Sequence, residues 1–132
     1  MVDDKHLIVT FHYYDPFTFT HQGASWADQP IRSSKGVRFG QPAEIAQIEK
    51  DFAAVKAWSE ASGRPVYLGE SGAYDHAAID ERVLWTATAA RAAEKNGFAW
   101  GYWQFSSDFL LYDFKEDKFV EPILKALVPA RR

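Results

Sequence analysis

Arg64-Pro65-Val66-Tyr67-Leu68-Gly69-Glu70-Ser71-Gly72 decides how the rest of the chain is read. Val66 to Leu68 is a short apolar run of strand character, and it ends in a carboxylate set between Gly69 and Gly72. Tyr67 and Leu68 can enter a core, whereas Glu70 cannot be buried there without a partner. The C-terminal end of a parallel strand is where an α/β barrel carries its chemistry. Glycines at such a place let the backbone bend and a ligand approach closely. The plain alternative is a strand-ending Glu that is solvated or paired with an Arg. The segments on either side bear on that choice.

Upstream, Leu7-Ile8-Val9-Thr10-Phe11 is a β-branched, apolar run of strand length. It leads into His12-Tyr13-Tyr14-Asp15-Pro16, where Pro16 stops any continuation. Side chains alternate along a strand, so His12 and Tyr14 point the same way. From Phe17 to Phe39 there is no sustained period, and Gly23, Pro30 and Gly36 interrupt it. Loops of this length are usually functional or disordered, and the aromatics Phe17, Phe19 and Trp26 favour an ordered binding loop. Pro42 opens a helix with Ile45, Ile48, Phe52, Val55 and Trp58 on one core-facing stripe, and Gly63 closes it.

Downstream, Tyr74 to Ile79 reads as a short loop, and Asp80 as the cap of a second helix running to about Asn96. Val83, Leu84, Ala87 and Ala90 are its expected packing face. Phe98 to Phe105 is a third apolar strand, Ser106 to Asp113 its loop, and Pro122 to Leu127 a last helix. The order β–loop–α–β–α–β–α predicts parallel strands with right-handed crossovers. All strand ends then lie on one face, bringing His12, Tyr14, Glu70 and Trp103 to one rim.

A chain of 132 residues that is 47% hydrophobic is long enough for one domain with a core of its own and does not read as disordered. An aromatic content of 16% suggests either an aromatic core or a face that stacks flat ligands. A net charge of −3 with no basic patch argues against nucleic acid. No membrane-spanning run and no signal peptide are visible in the chain. The absence of cysteine excludes disulfides and thiol chemistry. His6, His12, His21 and His76 lack helical ligand spacing, so no metal or other cofactor is expected. An esterase built on Ser71 fails, because Gly69-Glu70-Ser71-Gly72 is one residue short of a Gly-x-Ser-x-Gly elbow.

Taken in order, His12-Tyr13-Tyr14-Asp15-Pro16, then Phe19-Thr20-His21-Gln22-Gly23-Ala24-Ser25-Trp26, Leu68-Gly69-Glu70-Ser71-Gly72, Gly101-Tyr102-Trp103 and Leu111-Tyr112-Asp113 resemble family 5 glycoside hydrolases. Within that family the chain is most similar to bacterial cellulases acting on β-1,4-glucan, over nearly its whole length. The resemblance implies an α/β fold that is a partial (β/α)8 TIM barrel, with three parallel βα units standing for strands six to eight. Residues 1–132 would then be the C-terminal fragment of the catalytic domain. By the same resemblance Glu70 matches the nucleophile of a retaining mechanism. His12 and Tyr14 match the pair beside it, and Tyr14 is placed to hydrogen-bond a carboxylate that must be ionised. Trp103 matches the floor under the sugar at the cleavage point, and Trp26 would line a neighbouring subsite.

One departure stands out. A retaining glycosidase needs a second carboxylate about 5–5.5 Å from the nucleophile, and in this family it is the Glu of an Asn-Glu-Pro-like motif on strand four. No Asn-Glu occurs in this chain. Asp15, Asp108 and Asp113 match no proton-donating role. A full barrel typically needs about 250 residues. The expectation is a chain that holds a β-1,4-glucan oligosaccharide but is inactive alone. Its strand edges would be covered as a homo-oligomer or by a missing N-terminal barrel half. The parent enzyme is expected to be secreted. The alternative from another class is a non-catalytic half-barrel that self-assembles or binds β-glucan through Trp26 and Trp103.

Overall fold

The computed structural model describes residue 4, residues 6–105 and residues 107–130. The polar start at residues 1–3 and 5, Ser106 in the loop after the third strand, and the Arg131-Arg132 pair lie outside the described residues. Strand β1 spans Val9–Tyr13, two residues later than the apolar run suggested. Pairing begins only where a partner begins: the Val9 amide donates to the Pro65 carbonyl at 3.0 Å, while Leu7 and Ile8 stay exposed. Strand β2 is Val66–Ser71, and β3 is Ala99–Trp100. The three form a parallel sheet in the order β1-β2-β3.

A bulge in β2 governs what this sheet presents. Phe11 pairs with Leu68, but the next residue, His12, pairs with Glu70, so Gly69 is the extra residue. The other neighbour follows the same offset: the Gly101 amide donates to Leu68 O and the Trp103 amide to Ser71 O, both at 2.8 Å. Bulges re-aim side chains. Here Val66 and Leu68 face the helices and are buried, and Glu70 is then brought level with His12 on the other face. Glycine is required at the extra position, because a Cβ there would collide with Thr10 Oγ1.

Helix α1, Phe17–Thr20, and a 3-10 turn, Ile31–Ser33, order the stretch read as a long loop. Phe19 is fully buried there, a core residue rather than part of a binding loop, whereas Trp26 is exposed. Helix α2, Pro42–Ser62, starts where Glu44 accepts the Gly40 and Gln41 amides at 2.9 and 2.8 Å, and it ends at Gly63 with φ 65°. Its buried residues are Ile48 and Phe52; Trp58, expected in the core, is exposed on the open flank beside β1.

Helix α3 spans Ile79–Lys95, with Ala78 at the N-cap and no side-chain cap; Asp80 lies inside the first turn. Its buried face is Glu81, Arg82, Trp85, Thr86, Ala89, Ala90, Ala92 and Ala93, and Leu84 is exposed. The face is rotated from expectation because Trp85, fully buried, stacks on Tyr13 and donates its indole N–H to Asp15 O at 2.9 Å. Phe11, Tyr13, Phe52 and Phe98 pack edge to face or tilted between sheet and helices. The third strand stops at Trp100 rather than Phe105. Gly101 follows, where a Cβ would meet the Tyr67 hydroxyl at 2.7 Å and Gly69 O at 3.1 Å. Beyond it, β4 (Tyr112–Asp113), at the end of the expected loop, pairs with β5 (Lys118–Phe119) in a hairpin. Helix α4, Glu121–Leu127, follows the hairpin and packs on α3.

Candidate active site

The end of β2 delivers Glu70 beside His12 of β1 and Tyr14, the residue that follows that strand. Tyr14 Oη donates to Glu70 Oε2 at 2.9 Å, and His12 Nδ1 lies 3.3 Å from the same oxygen. Strand alternation and the bulge at Gly69 together make this convergence: residues 12 and 14 share a face, and the extra residue brings position 70 level with position 12. Among the described residues Glu70 Oε1 has no hydrogen-bond partner, and the side chain is 27% exposed. Burial first, and then the bond to Glu70, push the Tyr14 phenol well above its ordinary range, so it holds its proton and stays a donor.

Around this pair is a cavity of about 350 Å³ lined by Tyr14, His21, Trp26, Glu70, Trp103, Gln104, Asp108 and Phe109. Four of the five residues singled out in the sequence therefore share one cavity wall. His12 touches Glu70 from beside it and is not in the lining. Trp26 and Trp103 present exposed indoles, 50% and 41%. Trp26 is braced edge-on by Tyr74, with ring centroids 5.1 Å apart. The Trp103–Gln104 peptide is cis.

Gln104 and Phe109 carry no sequence signal for this site, while His21 is weighed there only as a metal ligand and Asp108 only as a proton donor. Phe109 lies in an irregular loop where no period marks it, yet it is 3% exposed and touches the rings of Tyr14, His21, Trp26 and Tyr74. His21 had a local signal, a polar residue following buried Phe19 and Thr20. Its ring stacks on Phe17 with centroids 3.9 Å apart. Its tautomer follows from counting protons. Thr20 Oγ1 gives its single proton to Tyr14 O at 2.5 Å, so at 2.9 Å from His21 Nδ1 it can only accept. Nδ1 therefore carries the ring proton, and Nε2 is left as an acceptor. Burial lowers the His21 pKa to about 4, keeping the ring neutral.

Asp108 is the other carboxylate of this wall, and it accepts from Ser107 Oγ at 2.9 Å. Asp15 lines a different cavity, of about 580 Å³ between β1 and α2, and Asp113 accepts loop amides on the hairpin. Among the described residues there is no group of three or more His, Cys, Asp or Glu that could hold a metal ion. A carboxylate held at one oxygen, exposed indoles and aromatic walls together make a cavity able to stack a flat ligand.

A family model described as Cellulase (glycosyl hydrolase family 5) matches residues 2–109. Endoglucanase H of Acetivibrio thermocellus is 34% identical, over 95% of this chain and 13% of its own length. Cellodextrinase A of Ruminococcus flavefaciens is 27% identical, over 73% of this chain and 29% of its own. A solved endoglucanase superposes with a TM-score of 0.93 at 41% identity, covering 98% of this chain and 42% of that one. Thermotoga maritima Cel5A in complex with cellobiose gives 0.91 at 38% identity, over 95% and 40%. The chain thus spans less than half the length of the relatives it matches. Its three parallel strands and flanking helices correspond to part of their α/β TIM barrel.

Proposed function

The chain belongs to the family 5 glycosyl hydrolases, and from that premise we propose that residues 1–132 are the C-terminal portion of a retaining endo-β-1,4-glucanase catalytic domain. Glu70 is its nucleophile, steadied by Tyr14 and His12, and Trp103 and Trp26 hold the sugar. The observation that carries this reading is the convergence of Tyr14 and His12 on a single oxygen of Glu70. Anchoring Oε2 in this way fixes the carboxylate and reserves Oε1 for attack. In the first step Oε1 bonds to the anomeric carbon, the glycosidic C–O bond breaks, and the departing oxygen takes a proton from a general acid. The glucan assignment is supported by relatives described as endoglucanases and by a solved one described as an endo-beta-1,4-glucanase in complex with substrate.

The general acid is not offered by any Asn-Glu in this sequence. That favours a second reading for the chain taken alone: a glucan-binding half-barrel that completes its chemistry only in an assembly. The open flank of the sheet supports the same view. Val9, Phe11, Val55, Trp58 and Val66 line an apolar groove of about 340 Å³ along β1. Ile8, Phe105 and Phe114 are exposed as well. Unpaired edges and apolar patches call for cover, either a second copy or the N-terminal barrel half. Because glucan polymers do not cross membranes, the parent enzyme is proposed to be secreted. No helix among the described residues is long and apolar enough to span a membrane.

The test is release of reducing ends from carboxymethylcellulose, with mass by light scattering on the same samples, for the chain and for Glu70→Gln. The expected result is no release from either and a mass above that of one chain. Adding a separately made N-terminal barrel half should then give release that Glu70→Gln lacks. Release that survives Glu70→Gln, or a monomer with no response to the added half, contradicts the proposal.

A further inference from the structure

We propose that Arg82 is a positioning residue for the glucan site, tying the strand end that carries Glu70 to the wall built on Tyr102 and Phe109; the inference rests on the glucan reading above. Arg82 projects from α3 into the core and is only 5% exposed. A buried guanidinium costs free energy unless its surroundings use it. Here Nε donates to Ala73 O at 3.1 Å, just past the end of β2, and one terminal nitrogen is buried with no partner among the described residues. The guanidinium also lies against the Tyr102 phenol, whose hydroxyl donates to Phe109 O at 2.7 Å.

These contacts join the two sides of the cavity. Ala73 follows Gly72, where the chain passes so close to Trp103 O and the Phe109 ring that a Cβ would not fit. Phe109 in turn supports Tyr14, His21 and Trp26. A lysine ammonium could reach one of these oxygens. The planar, multi-donor guanidinium can address the Ala73 carbonyl and the phenol from one fixed position. Its placement therefore sets the spacing between the Glu70 strand and the aromatic wall rather than touching the ligand itself.

Labelling with 2,4-dinitrophenyl 2-deoxy-2-fluoro-β-cellobioside separates this role from a purely structural one. Glu70 bonds to C1 as dinitrophenolate leaves with the electron pair, so no general acid is needed. Arg82→Met and Tyr102→Phe are expected to raise the inactivator's KI about tenfold, since small misplacements of binding groups are costly, while kinact stays within about twofold. Arg82→Lys should recover part of the loss. Each variant is measured where circular dichroism shows it folded, and if Arg82→Met does not fold, the other two decide. Wild-type KI in folded Arg82→Met and Tyr102→Phe overturns the inference while leaving Glu70 labelled. Failure of the unmodified chain to be labelled at all overturns the glucan reading, and the inference with it.

Discussion

Between about pH 7 and pH 4 the fold is expected to lose about 3 kcal/mol of stability through His21 alone. The ring is 7% exposed, enclosed by Phe17, Tyr14 and Phe109, and its pKa is lowered to about 4 by burial. In the unfolded chain the same imidazole titrates near its ordinary value of about 6.5. Below that pH the unfolded state takes up a proton that the native state refuses, so the stability is complete above about 6.5 and is lost as pH falls towards 4. Burial also raises the pKa of the Asp75 carboxyl, so the acid response is not that of His21 alone. The comparison with His21→Asn isolates the imidazole. Asn can still donate to Thr20 Oγ1 but does not titrate. Urea unfolding at pH 7 and pH 4 should show the variant less stable at pH 7 but losing about 3 kcal/mol less than the wild type on acidification. Parallel curves would remove His21 from the account.

Gly72→Ala is expected to be the most damaging single methyl in the chain, costing about 3 kcal/mol, the upper end of ordinary overpacking. Its Cβ would overlap the Trp103 carbonyl oxygen and sit 3.0 Å from Phe109 Cδ1. The obstacle is backbone, so no rotamer change relieves it, and the displaced peptide belongs to Trp103, which lines the cavity. Gly69→Ala makes the useful contrast. There the obstruction is Thr10 Oγ1, a side-chain atom, and Thr10→Ala should restore most of what Gly69→Ala loses. Urea midpoints of the single and double variants form a cycle whose coupling is expected to exceed about 1 kcal/mol. A tolerated Gly72→Ala, or no coupling between positions 69 and 10, would show that the close packing around β2 is not needed.

The stretch Val66 to Gly72 carries much of the fold, because a strand ending in Gly-Glu-x-Gly is a local signal and the alternation of His12 and Tyr14 needs only two residues. What local pattern could not supply was the bulge. Gly69 is visible as a glycine, but that both neighbouring strands skip it is a property of pairing. The third strand reads as apolar through Phe105, yet it ends at Trp100, because Gly101 must pass close to Tyr67 and Gly69. Helix α3 was placed nearly correctly in sequence and wrongly in rotation. Its small alanines look alike on several faces, and the buried Arg82 and Glu81 that mark the true inner face resemble surface residues when read singly. Glu81 is held by Arg38 and by the Phe39 amide, partners more than forty positions away that no window contains. Neither Phe109 nor His21 can be placed at the cavity from sequence, for a related reason: cavity walls assembled from loops leave no period to detect.

The central claim, that Glu70 is a nucleophile already set in place by this chain, is tested most directly by the mass of the chain after exposure to 2,4-dinitrophenyl 2-deoxy-2-fluoro-β-cellobioside. The account predicts a single adduct that peptide mapping places on Glu70 and that Glu70→Gln does not form. An unlabelled wild-type chain, or an adduct on another residue, would contradict it.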